Sequence, residues 1–160
     1  MVFIPRDPVV QNQFLTHDTS QGTGEETAGC VVFLSGDQLV ACVSGSTSGN
    51  INKPYGFLMQ NVKAESSAHP TGFRLPGDLG SSDAFTGDPV AVAHLGLYDT
   101  TFYNTATTYA FGDNLTVAAN GAVTPTGVNE VNGTVIAVAQ NSLDSAAVAA
   151  GDKLRIKLLI

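Results

Sequence analysis

The sequence predicts a small all-β protein, a barrel or sandwich of short strands with an extended N-terminal arm and little helix. Three observations predict it. Gly-Asp pairs punctuate the chain at Gly36-Asp37, Gly87-Asp88, Gly112-Asp113 and Gly151-Asp152, each followed within two residues by Val or Leu. Glycine enters positive φ without steric cost, and an Asp side chain accepts a backbone N–H where a chain turns into a strand. Apolar or alternating runs follow three of the pairs, at Leu39–Val43, Val90–Ala93 and Leu154–Leu158. Asn120-Gly121, set between two further apolar runs, is a strong short-range hairpin signal.

Residues 1–27 read as an arm and linker. Phe3, Ile4, Val9, Val10, Phe14 and Leu15 are apolar, while Pro5 and Pro8 forbid a continuous helix or a central strand. Gln21–Glu26 has the composition of a flexible linker. Such an arm is either an edge strand of its own sheet or a segment that reaches a neighbouring subunit. The linker favours the second. A single β-rich domain is expected over 28–160. It starts with Cys30–Leu34, turns through a three-residue loop at Ser35-Gly36-Asp37, and returns over Leu39–Val43. Tyr55–Val62 reads as the next strand. Residues 64–86, rich in Ser, Pro and Gly, read as one long loop, a length that is usually functional or disordered. Val90–Ala93 is a strand, and Leu97–Phe111 reads as one or two strands with aromatic faces.

The later part repeats the order of hairpin, loop, strand. Asn114–Ala118 and Ala122–Thr124 flank Asn120-Gly121, and Gly133–Ala139 follows a Pro- and Gly-containing loop. Ser145–Ala150 is the one good helical turn, with Ser142 or Asp144 as N-cap and Gly151 as its stop. Lys153–Leu158 alternates charge with apolar residues, the pattern of a half-buried strand.

Composition narrows the function classes. The chain has 160 residues, 43 % of them hydrophobic, enough for a core. Only 13 % are charged, so contact with another protein would desolvate few charges. The net charge of −7 and the absence of a basic cluster beyond Lys153, Arg155 and Lys157 argue against nucleic acid and against an anionic membrane surface. No apolar run reaches membrane-spanning length, and no basic region followed by an apolar stretch marks a signal peptide. Cys30 and Cys42 lie symmetrically about Gly36; two buried thiols and a cross-strand disulfide are both open readings.

No catalytic, cofactor-binding or metal motif is expected. His17, His69 and His94 are far apart and form no helical zinc pair. His17 and Asp18 are adjacent, which by itself points their side chains apart. Gly45–Gly49 has the outline of a nucleophile elbow, but its central residue is Thr47 and no strand–helix context follows. Ca²⁺ binding by the turn carboxylates needs several of them to converge, so turn capping is the simpler account.

The stretches Gly87–Ala93, Phe111–Val123, Gly133–Ala139 and Ala149–Leu158 resemble, in this order, the capsid cement (head decoration) proteins of tailed bacteriophages. Ala28–Val32 and Pro54–Leu58 fit the same pattern. Cys30 stands where that family more often has Asp, and the arm, the middle loop and the Thr/Tyr-rich segment fall outside the pattern. The resemblance implies a β-tulip-like, non-enzymatic virion protein without cofactor, made in the bacterial host cytoplasm. It would bind the outer surface of the capsid as a homotrimer, with the major capsid protein as partner, and stabilise the shell against DNA pressure. Capsid or subunit contact would fall to Phe3, Ile4, Val9, Val10 and Phe14 of the arm, and next to His69, Phe73 and Arg74 of the middle loop. A carbohydrate- or ligand-binding β module is the alternative, with Tyr98, Phe102, Tyr103 and Tyr109 as its aromatic platform; a small hydrolase is the third reading.

Overall fold

The computed structural model describes residues 3–17, 26–35, 38–41, 53–63, 83–85 and 89–160. They form an all-β fold, a curled sheet with one short helix. The strands are β1 (Phe3–His17), β2 (Val31–Ser35), β3 (Gln38–Ala41), β4 (Pro54–Leu58), β5 (Asn61–Lys63), β6 (Asp83–Phe85), β7 (Pro89–Thr100), β8 (Asn114–Ala118), β9 (Val123–Pro125), β10 (Glu130–Ala139) and β11 (Leu154–Leu159), with α1 (Ser145–Ala150) before the last. The main sheet runs β1-β3-β2-β4-β7-β11-β10-β8-β9, and β1 also pairs with β7.

That order holds a repeat. β2 pairs antiparallel with β3 and β4, and β8 pairs antiparallel with β9 and β10. β4 then meets β7, β10 meets β11, and β7 and β11 pair with each other at the centre. The sequence repeat of hairpin, loop, strand is therefore a repeat of topology. The halves also touch at their far ends, where Val31 N–H donates to the Gly121 carbonyl at 2.9 Å. The sheet curls enough for this contact, as twisted sheets of many strands do.

The first segment corrects the reading of a reaching arm. β1 is a strand of the chain's own sheet, antiparallel to β7 from Phe3↔Thr100 to Thr16↔Pro89. At its end it pairs in parallel with β3, through Thr16↔Gln38 and His17↔Leu39. The physical reason is the length of β7, whose twelve residues would otherwise present a bare row of polar groups on that edge. The prolines are tolerated because β1 has register shifts, one of them between Pro5 and Asp7, and β3 meets only its last two residues.

Two apolar clusters hold the sheet. The larger gathers Val31, Phe33, Phe57, Tyr98, Leu115, Val117, Ile136, Leu154, Ile156 and Leu158 with Phe3. The smaller gathers Val32, Leu39, Leu58, Val62, Ala84, Val90 and Val92. Val31 and Val32 thus bury opposite faces of β2, which explains the unbroken apolar run there. The second face is covered by the parallel pair β5–β6.

That pair corrects two expectations. Tyr55–Val62 is not one strand. Between β4 and β5, Met59 N–H donates to the Ala91 carbonyl and the Gln60 side chain accepts from Ala91 N–H at 3.1 Å, so the chain is tied to β7 as it turns away. The loop expected over 64–86 ends earlier, since Asp83–Phe85 is strand β6. The first hairpin is also one residue tighter than expected: Ser35 faces Gln38, leaving two residues between the paired positions. Cys30 is buried; Cys42 lies outside the described residues, and with it the question of their pairing.

Of the strand or two expected over Leu97–Phe111, only Leu97–Thr100 is strand, as the end of β7, and its aromatic Tyr98 is buried. β7 ends at Thr100, whose hydroxyl accepts from Phe102 N–H at 2.9 Å and turns the chain. The rest of the C-terminal half follows the sequence closely. β8 and β9 pair around Asn120-Gly121, with Gly121 at φ 77°. Asp144 caps α1 by accepting from Ala147 N–H at 2.8 Å, and Gly151 ends the helix in the left-handed region at φ 74°.

Candidate interaction surface

Of the residues expected to make contact, only Phe3 has a described side chain. Phe3 is a core residue, 8 % exposed, with its ring stacked on Tyr98 at 4.6 Å and Phe57 at 5.8 Å. It is therefore corrected from a contact residue to an internal one. The backbone register of β1 sets Ile4 opposite Asp99, Val9 opposite Leu95 and Val10 opposite Ala93; Phe14 falls in the irregular span between Gln11 and Leu15. The side chains of these four are outside what is described. His69, Phe73 and Arg74 lie outside the described residues.

The described surface offers other features. Leu95 and Leu159 are 48 % and 47 % exposed and sit directly opposite each other across β7 and β11. Val9 joins the same cross-strand row by register. In the next row Lys157 faces Leu97. The third row pairs Arg155 with Asp99, whose carboxylate is almost fully buried and accepts from Arg155 Nε at 2.9 Å. Contact with Asp99 holds the Arg155 guanidinium charged more firmly than usual. Asp99 was missed by sequence reasoning, because a lone Asp before Thr100 carries no motif. Phe111 is the third exposed large hydrophobic among the described residues, at 69 %.

The tyrosines are placed inside. Tyr98, Tyr103 and Tyr109 are all buried, so they form no exposed platform. The Tyr109 hydroxyl donates to the Asn104 carbonyl at 2.9 Å or to the Val123 carbonyl at 3.1 Å, and the Tyr103 hydroxyl donates to the Asp152 carbonyl at 2.8 Å. Burial raises the pKa of both phenols. Their role is to tie the 101–113 segment to the hairpin β8–β9 and to the turn before β11.

Two further titratable groups are perturbed. Glu26 bridges to Val62 through the main chain and accepts from the Cys30 thiol at 3.8 Å; burial pushes its carboxyl up. His94 packs edge-on to Tyr55 at 4.7 Å between ring centres, and burial lowers its pKa. Its Nε2 is buried with no hydrogen-bond partner among the described residues. Among the described residues no group of three or more His, Cys, Asp or Glu could hold a metal ion, and no helix is long and apolar enough to cross a membrane.

A shallow cleft of mixed polar and apolar lining is formed by Asn104, Ala118, Ala119, Asn120, Asn129 and Glu130. Glu130 there accepts from Gly127 N–H at 2.9 Å and Asn120 accepts from Ala122 N–H at 3.2 Å, so both groups are occupied in shaping turns. The described surface offers exposed apolar side chains on the sheet, Leu95 and Leu159, and one on a turn, Phe111. No protein-family model matches the chain, and no curated protein matches it at a significant level.

Proposed function

We propose that the chain is a capsid decoration protein of a tailed bacteriophage, binding the outside of the shell and stabilising it against internal DNA pressure. The observation that carries the reading is the C-terminal unit. The turns of the resemblance fall between consecutive elements, Gly112-Asp113 before β8, Asn120-Gly121 between β8 and β9 and Gly151-Asp152 before β11, and its run Gly133–Ala139 falls within β10. An all-β body with exposed leucines and a projecting phenylalanine supports it further.

The mechanism is mass action. A protein that binds only the assembled lattice stabilises that lattice by its binding free energy. Many copies, each touching several capsid subunits, add by multivalency. The major capsid protein is the partner, a homotrimer the bound form, and the outer virion surface the location. The Leu95–Leu159 row, rather than Phe3, is the better contact surface, because Phe3 is spent on the core.

The test is co-sedimentation of the purified protein with undecorated, expanded shells of its cognate phage, followed by calorimetry of the shells. Binding with a raised shell melting temperature is the expected result. Absence of both on cognate shells overturns the reading, and glycan binding by the isolated protein would move it to the carbohydrate-binding class.

A further inference from the structure

Phe111 is the most exposed large apolar side chain described, yet the loop that carries it is fully tied down. Each backbone N–H from Tyr109 to Asp113 has an acceptor. Tyr109 donates to the Leu143 carbonyl at 2.9 Å, Ala110 to the Asp113 carboxylate at 2.7 Å, and Phe111 to the Ser142 hydroxyl at 3.0 Å. Gly112 donates to the Ala139 carbonyl at 2.9 Å and Asp113 to the Ala110 carbonyl at 3.1 Å. An exposed aromatic on a floppy loop is a neutral surface residue. An exposed aromatic on a loop with no slack is an anchor whose ordering cost is already met before binding.

The same end of the molecule holds a place for such an anchor. A cavity of about 230 Å³ lies between residues 105–108 and α1, lined by Ala106, Val148, Ala149 and Ser145 with threonines. No charged residue lines it, so filling it with an aromatic ring desolvates no ion. Knob and hole are neighbours, since Phe111 is bonded to Ser142, three residues before the first helix residue of the lining. A second copy of the same chain therefore offers a hole to this knob, and a knob-in-hole contact repeated head to tail generates a closed ring such as a trimer.

We propose that Phe111 seats in the groove between residues 105–108 and α1 of a second copy of this chain. The contact supplies the self-association step of the proposed function and rests on that part of the reading alone. Both side chains used in the test are exposed, so their replacement leaves the core intact.

Sedimentation velocity of the full chain, without shells, over a range of concentration tests the contact. The wild type is expected to self-associate reversibly. Phe111→Ser, and independently Ala149→Arg, which blocks the groove, should each weaken association by about tenfold or more, with melting temperature and circular dichroism unchanged. A wild type that stays monomeric, or either variant associating as the wild type does, overturns the contact. Shell binding is measured separately on the same proteins. If Phe111→Ser lowers shell binding and leaves association untouched, the aromatic faces the shell and the contact is wrong, while the capsid reading stands. If association depends on Phe111 but no shell is bound, the contact stands and the capsid reading falls.

Discussion

Gly56 shows how little room a single position leaves. A Cβ there would lie 2.3 Å from Val92 Cγ1 and 2.8 Å from the Ala93 carbonyl oxygen. The carbonyl belongs to β7 and cannot move aside without breaking the pairing with β4. Gly56→Ala is expected to destabilise the protein by about 1–3 kcal/mol, as overpacking of a filled core does, read from the midpoint of urea unfolding. His94, two residues after the crowded Val92, gives a pH signature. Burial lowers its folded pKa, and a backbone bond to Tyr55 partly offsets this. Unfolding restores the higher proton affinity, so its contribution to stability is intact above the ordinary histidine range and is lost as pH falls through it. Glu26 acts in the opposite sense: with a folded pKa raised by burial, its contribution is full below the ordinary glutamate value and is lost as pH rises through the raised one. His94→Gln should therefore flatten the decline in unfolding midpoint from about pH 7 to pH 5, while the Glu26 dependence persists. An unchanged profile in the variant would exclude His94 as its source.

Among the elements, those specified by local chemistry were legible and those specified by distant partners were not. The hairpin β8–β9 was readable because Asn120-Gly121 needs no partner to turn. The helix α1 was readable to its cap and stop, since Asp144 and Gly151 act within one turn of chain. Asp144→Ala removes the acceptor for Ala147 N–H and should cost about 1 kcal/mol, seen as a lower melting temperature and faster amide exchange confined to Ser145–Ala150. The parallel pair β5–β6 was not legible, because three-residue strands in parallel carry almost no periodicity. Nor was the burial of Tyr103 and Tyr109: a tyrosine suits an exposed face and a core with a carbonyl in reach equally well, and sequence alone does not say which carbonyl is near. The contact residues fared similarly. Phe3 was legible as an apolar anchor, but its partners Phe57 and Tyr98 are supplied by β4 and β7, far along the chain.

For the whole molecule, the closure made by β1 decides what truncation can reveal. A reaching arm outside a β domain of residues 28–160 would be removable without harm to that domain. With Phe3 stacked on two core rings and β1 paired along β7, its loss should instead unfold or strongly weaken the protein. Phe3→Ala alone is expected to cost about 3–5 kcal/mol, measured by chemical denaturation. A truncated protein with native stability would show that β1 is dispensable to the fold. The Leu95–Leu159 row is the gentler probe of function. Leu95→Ser with Leu159→Ser should leave the unfolding midpoint close to that of the wild type, since both side chains are about half exposed, and should reduce co-sedimentation with shells.

The pairing of Phe3 with Thr100 also has a consequence during biosynthesis. The first strand leaves the ribosome long before the strand that receives it, by roughly 5–20 s at ordinary elongation rates. Through that interval the apolar residues of β1 have no β7 to pair with. β7 in turn waits for β11, so the central pair closes only when Leu154–Leu159 have been made. A nascent chain of this design depends on shielding until β11 has emerged, and its yield should fall when trigger-type chaperones are depleted in the expressing cell.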